Sequence, residues 1–262
     1  MLLGVLAGED TADQTTLSSA GNRKKDYTIH CSVNALKGKR IGLEKVNQNG
    51  NPDVLDLYRA NAEVLKRLGA ELVEVELQKQ TAALGASSYL VMQHEFKEGI
   101  NTYLANANAK IKTLGDVIAY NKSNEGKTMP FFKQELLEMC AMKKGHEDPE
   151  YKEALKKSTS SRQIIDDMLI TQKLDAICSI SSGPAGCIDQ INGDYGTGYS
   201  FSTPAAMAGY PHITVPMGFV HGMPLGLSFI SGAWKEAELI GMAYAFEQAT
   251  KHRKPPEFKE WV

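Results

Sequence analysis

The stretch Thr203–Ser231, TPAAMAGYPHITVPMGFVHGMPLGLSFIS, decides the fold. Its first part is small and apolar and ends in Gly209, after which Tyr210 and Pro211 turn the chain. Ile213, Val215 and Met217 then alternate with Thr214 and Pro216, the period of two expected of a strand. Pro216 has no N–H to donate, so it marks an edge or the end of that strand. Gly218 to Pro224 reads as a hairpin loop, and Leu225, Leu227 and Phe229 return as a second strand. The spacing predicts a helix followed by two neighbouring strands in a buried sheet.

Upstream, the pattern alternates between strand and helix. A short strand is expected around Arg40–Leu43, after the turn at Gly38. Asn51 and Pro52 form a helix start, a cap followed by a first-turn proline. Val54, Leu57, Tyr58, Ala62, Leu65 and Leu68 give that helix one apolar face, and Gly69 ends it. ELVEVEL follows as an alternating strand, so strand, helix and strand form a βαβ unit with parallel pairing. Leu84–Leu104 reads as a helix in which His94 is partly exposed. Asp148 and Pro149 begin another, with Leu155, Ile164, Ile165, Met168 and Leu169 on its apolar side. LDAICSIS is a buried strand, and the glycine-rich run GPAGCIDQINGDYGTGY lies at its carboxyl end, where ligands sit in open α/β sheets. Glu236–Thr250 is the last helix, with the cations Lys251, His252, Arg253 and Lys254 at its negative end. The class is therefore α/β, with a mixed, largely parallel sheet flanked by helices.

The 262 residues are enough for a large core, and the net charge of −2 offers nothing to nucleic acid or to an anionic membrane. No apolar run approaches the ~18 residues of a membrane span. Cys31, Cys140, Cys178 and Cys187 contain no CxxC pair, and Cys140 and Cys178 read as buried thiols, which favours a cytoplasmic over a secreted protein. MLLGVLAG is apolar but lacks the charged segment and cleavage site of a signal peptide, and it has no N-cap. It reads either as an ordinary apolar helix or as a helix cut open.

Several motif-like features fail on spacing. His94 and Glu95 would begin a zinc motif, but Glu98 stands where the second histidine belongs. Gly126-Lys127-Thr128 lacks the earlier glycine of a P-loop, since Asn121 stands there. Gly196-x-Gly198 lacks the third glycine of a dinucleotide fingerprint, Phe201 standing at that place. Lys37, Lys39 and Arg40 lack a glycine-rich loop at a helix start and suit a solvated strand end. Asp10 and Asp13 suit a polar turn better than a metal or acid–base pair. No metal and no cofactor is expected.

AGYPHITVPMG, GMPLGLSFI, the helix AELIGMAYAFEQAT and the tail KHRKPPEF together resemble the C-terminal part of the amidase signature family, serine amide hydrolases with an α/β fold. EFKEGINTYLA, VIAYNKSNEG and PFFKQELLEMC resemble further segments of that family in the same order, and Gly8, Asp10 and Asp13 match a Gly-x-Asp-x-x-Asp turn that follows its catalytic core. The resemblance covers nearly the whole chain, as one partial domain over residues 1–262. It also tilts the N-terminal reading towards a helix cut open. Its catalytic Lys, bridging Ser and nucleophilic Ser precede the point where this chain begins, so no catalytic residue is carried over. No glycine-rich stretch surrounds Ser179, Ser181 and Ser182, and no Gly-x-Ser-x-Gly elbow is present. The six histidines are scattered, and none lies in a sequence motif that pairs it with a nucleophilic Ser or Cys.

The segment around PFFKQELLEMC covers the family's substrate entrance, which makes Phe132 and Gln134 candidate pocket residues. The alternatives are a core Phe132 and a helix-capping Gln134. In the related glutamine amidotransferases, an acidic residue a short way before the Tyr-Pro step grips the substrate's amino group. Here Tyr199, with Gly198 and Ser200, occupies that region uncharged, which favours a general or peptide-type amidase over glutamine. The expected partners are a small-molecule or peptide amide and the missing N-terminal half, with self-association where a sheet edge is left open. The rival reading is a non-catalytic α/β module that binds a small ligand at Gly183–Gly198.

Overall fold

The structure is a computed structural model that describes residues 1–257, so Phe258, the last residue of KHRKPPEF, lies outside the described residues. In chain order the elements are α1 (Leu2–Leu6), a 3₁₀ turn (Gln14–Ser19), β1 (Arg40–Glu44), α2 (Pro52–Arg67), β2 (Glu71–Val75), α3 (Leu77–Thr81), a second 3₁₀ turn (Ala82–Leu84) and α4 (Gly85–Asn106). They continue with α5 (Leu114–Ser123), α6 (Glu125–Thr128), α7 (Glu135–Ala141), α8 (Pro149–Thr159), α9 (Ser161–Thr171), β3 (Ala176–Ile180), α10 (Ser202–Ala208), β4 (His212–Val220), β5 (Met223–Ile230) and α11 (Glu236–Thr250). They form two compact units. The first holds Met1–Gln80, Arg162–Ala185 and residues 196–257; the second holds Thr81–Ser161 and Gly186–Tyr195.

The first unit is built on one five-stranded sheet in the order β2-β1-β3-β5-β4. β1 pairs in parallel with β2 and with β3, as the βαβ pattern requires, and β5 pairs antiparallel with β3 and with β4. The sheet is therefore mixed. One face packs on α2 and α11 through Val54, Tyr58, Leu65, Leu239 and Phe246, which meet Ile41, Cys178, Met217 and Phe229. Phe229 and Phe246 stack edge to face, centroids 6.4 Å apart. The opposite face packs on α9 and α10 through Ile165, Met168, Phe201 and Ala205, against Ile177 and Ile230. β3 is buried at all five positions, as expected for a central strand covered on both faces.

Local chemistry sets the ends of the elements. Asn51 accepts the Asp53 and Val54 N–H groups at the start of α2, next to Pro52. α10 ends at Gly209, which stands left-handed at φ 67. β4 and β5 run further than the periodicity predicts. The turn between them is only His221 and Gly222, at φ 49 and 79, rather than the loop Gly218–Pro224, because two successive positive φ values make the tight turn that matches strand twist. Pro216 lies inside β4, beside a bulge, on the outermost strand, where its missing N–H costs no ladder bond. The single helix read from Asp148 through Leu169 is two, α8 and α9, parted at Ser160.

The second unit is helical. α4 packs against α8 around Val91, Tyr151 and Ala154, with Leu90 and Leu155 beside them. Thr113 and Asp116 form a reciprocal capping box at the start of α5. His94 on α4 is fully buried, not partly exposed, because α4 is covered at that point by the turn around Gly145, whose carbonyl lies 3.0 Å from His94 Nδ1. Among the described residues no helix is long and apolar enough to cross a membrane.

Candidate functional site

In the first unit the polar chemistry gathers on one end of the sheet. Period-two alternation puts Ser181 after β3, His212 and Thr214 on β4, and Gly226 and Ser228 on β5 on a single face, while Val215, Leu227 and Phe229 turn into the core. Ser228 Oγ stands at the centre. It lies 2.7 Å from Ser181 Oγ, 2.7 Å from His212 Nε2 and 3.2 Å from Thr214 Oγ1. Gly226 makes the close approach possible: a Cβ there would sit 2.5 Å from Thr214 Cγ2 and 2.7 Å from Ser181 Oγ. Desolvation by burial pushes the His212 imidazole below its ordinary value, which favours the neutral ring.

A serine hydroxyl 2.7 Å from an imidazole nitrogen has the spacing of a nucleophile and its base. Two features deny it that role. Ser228 is 0% exposed, so no carbonyl carbon can approach it. A hydroxyl has one proton and two lone pairs, and three neighbours already occupy them. The cluster can present hydrogen-bonding groups on the sheet face, through half-buried Ser181 and exposed Thr214 and His212. It cannot supply an attacking oxygen at Ser228.

Other polar groups lie near the carboxyl ends of the parallel strands. Glu44 ends β1 at 2% exposure and accepts the N–H groups of Leu77 and Gln78 at 2.8 and 3.0 Å. Burial pushes this carboxyl up to about 7; the two N–H donors hold the rise back and nearby Glu76 adds to it. Tyr58 donates to the Glu44 carbonyl at 3.0 Å beneath a cavity of about 420 Å³ lined by Lys45, Gln48, Arg59 and Lys66. Cys178 is fully buried and burial pushes its thiol up, so it is an inert packing group.

The three residues singled out from sequence fall in different units. Tyr199 is in the first, 9% exposed within the core, its hydroxyl against Gly50. Burial raises its phenol above the ordinary value. Phe132 and Gln134 are in the second unit and line one cavity of about 470 Å³ together with Phe131, Met129 and Leu136. Phe132 is 50% exposed, so it is not core. Gln134 precedes α7 without capping it; its side chain donates to the Ile118 carbonyl at 3.1 Å and accepts from Asn121 at 3.0 Å. Asp13 caps the first 3₁₀ turn through Thr15, and both it and Asp10 are exposed.

Sequence reasoning misses the His212–Ser228 contact because its members are 16 residues apart. A signal for it lies in the register: Thr214 pairs with Ser228 across β4 and β5, and His212 is the next residue on that face.

Comparison with known proteins fits this geometry. The profile of the family described as Amidase matches residues 1–240. The native peptide amidase of Stenotrophomonas maltophilia superposes with a TM-score of 0.89 at 35% identity, over 99% of this chain and 52% of that one. A probable amidase of Arabidopsis thaliana is 30% identical over 98% of this chain and 47% of its own length. One component of the glutamyl-tRNA(Gln) amidotransferase of Geobacillus sp. (strain WCH70) is 32% identical over 97% of this chain and 52% of its own. The chain thus spans about half the length of the curated relatives it matches.

Proposed function

The chain belongs to the amidase family, and on that premise we propose that it forms the C-terminal part of a serine amide hydrolase, one partial domain that converts nothing by itself. In this reading it supplies sheet scaffold and substrate-pocket walls, and the groups that break the amide bond come from the N-terminal half. The observation that carries the reading is Ser228. The serine that meets a histidine is fully buried and already saturated with hydrogen bonds. Amide hydrolysis needs an accessible hydroxyl, a base for its proton and N–H donors for the oxyanion.

The substrate proposed is a peptide-type or other small amide. Two features support it: the likeness to the Stenotrophomonas peptide amidase, and the uncharged Tyr199 with Gly198 and Ser200 where an amino-gripping acid would be expected for glutamine. Phe132 and Gln134, which line one cavity of the second unit, are proposed substrate-binding residues, and Tyr199, in the first unit, is proposed separately as another. β4 is an outer strand of the sheet, and Leu2, Val5 and Leu6 are exposed at 71%, 82% and 72%. Exposed apolar surface and an open sheet edge each promote self-association, which light scattering at rising concentration should detect.

The test is an ammonia-release assay on C-terminal peptide amides. The purified chain should release none. The same chain joined to the N-terminal half of the Stenotrophomonas enzyme should release ammonia. Turnover by the chain alone, lost on Ser181→Ala or Ser228→Ala, would overturn the proposal.

A further inference from the structure

The second unit contains a histidine for which amide hydrolysis has no task. His94 is 0% exposed. Its Nδ1 lies 3.0 Å from the Gly145 carbonyl oxygen. A carbonyl only accepts, so Nδ1 carries a proton, and in the uncharged tautomer with that proton the ring presents a lone pair at Nε2. That nitrogen is buried and has no hydrogen-bond partner. Glu150 Oε2 is 3.5 Å away, and a carboxylate oxygen cannot donate to it. Asp148 stands beside Glu150 in the first turn of α8, its carboxylate accepting the Glu150 N–H at 3.0 Å. One ligand atom from each of His94, Asp148 and Glu150 lies within 4.8 Å of the other two. Both carboxylates line a cavity of about 330 Å³.

We propose that His94, Asp148 and Glu150 form a site for a divalent cation of the borderline class, Zn²⁺ foremost. One imidazole nitrogen with two carboxylate oxygens suits Zn²⁺, and water from the cavity would complete four-coordination. Mg²⁺ and Ca²⁺ prefer all-oxygen sites, which the buried imidazole disfavours. The bond from His94 Nδ1 to a backbone carbonyl is the arrangement that fixes the tautomer and orientation of ligating imidazoles. Lys143 Nζ opposes the cation, 3.7 Å from Glu150 Oε2 and 18% exposed, and Lys144 lines the same cavity. A metal must displace that ammonium, so Lys143 lowers the affinity of the site and its removal raises it.

The experiment uses the purified chain carrying Cys31→Ser and Cys187→Ser, the two thiols that are not buried, because loose thiolates would bind zinc independently. Zn²⁺ is titrated in competition with a chromophoric chelator. One equivalent should bind per chain. Glu150→Gln, at a half-exposed side chain, and Asp148→Asn, which keeps a capping oxygen, should each weaken binding about 10-fold or more. Lys143→Met should tighten it, and Mg²⁺ should not compete. His94→Gln should abolish binding; should that variant fail to fold, the Glu150 and Lys143 variants still decide. Co²⁺ should give visible bands that Glu150→Gln removes. No bound Zn²⁺ at about 100 μM, or binding that neither Glu150→Gln nor Lys143→Met changes, would overturn the site.

Discussion

Glu44 offers a stability measurement whose sign and size both follow from its surroundings. The carboxyl ends β1 at 2% exposure, with the Leu77 and Gln78 N–H groups for partners. Burial raises its pKa from 4.5 to about 7 in the native state. At about 1.4 kcal/mol per pH unit that rise is worth about 3 kcal/mol, or about 2 kcal/mol after allowing for residual solvent screening. The native state holds the proton more tightly than the unfolded chain does. The contribution is therefore fully present below pH 4.5 and is lost as pH rises through about 7. Urea unfolding followed by circular dichroism at pH 5, 6.5 and 8 would measure it, with Glu44→Gln as a reference that cannot titrate. The stability of the wild type minus that of Glu44→Gln should fall by about 2 kcal/mol between pH 5 and pH 8. A difference that stays constant over this range would refute the reasoning. It would mean that the two N–H donors keep the carboxylate ionised throughout, outweighing desolvation.

Three further outcomes are expected. Gly226→Ala should destabilise the first unit by about 1–3 kcal/mol, because its Cβ would press on Thr214 and Ser181; chemical denaturation measures this. Asn61→Ala should cost about 1–3 kcal/mol, since the buried Asn61 amide donates to the Met217 carbonyl of β4 at 2.9 Å and its loss would leave that carbonyl unmatched. His212 has a native pKa below its ordinary 6.5, so its contribution is full above pH 6.5 and is lost as pH falls through the lowered native value. Wild type should therefore lose stability relative to His212→Gln on acidification below pH 6.5, followed by thermal melts.

Much of the sheet is legible in the sequence because its signals are local. Asn51-Pro52 caps α2 as its chemistry demands, and the apolar alternation of ITVPM and LGLSF gives β4 and β5 their faces. Less is legible where a local signal has two readings. Pro216 and Gly218 suggest that β4 ends there, yet an edge strand tolerates both at a bulge. Ser160 divides α8 from α9 while staying near helical angles, φ −63 and ψ −12, so neither glycine nor proline announces the break. The polar cluster and the His94 site are hidden for another reason. His94 and Gly145 are 51 residues apart, and Ser181 and Ser228 are 47. Their chemistry depends on tertiary contacts that no short window contains. Phe132 and Gln134 emerge only through family resemblance, because nothing in their local pattern separates a cavity wall from a packed core.

The decisive measurement is active-site labelling. The purified chain is treated with a fluorophosphonate that modifies activated serines, and the intact mass is read. With Ser228 buried and saturated, and the bond-breaking groups proposed to lie outside this chain, the mass should be unchanged. A stoichiometric adduct on Ser181 or Ser228 that His212→Ala abolishes would show that this chain carries a working nucleophile of its own.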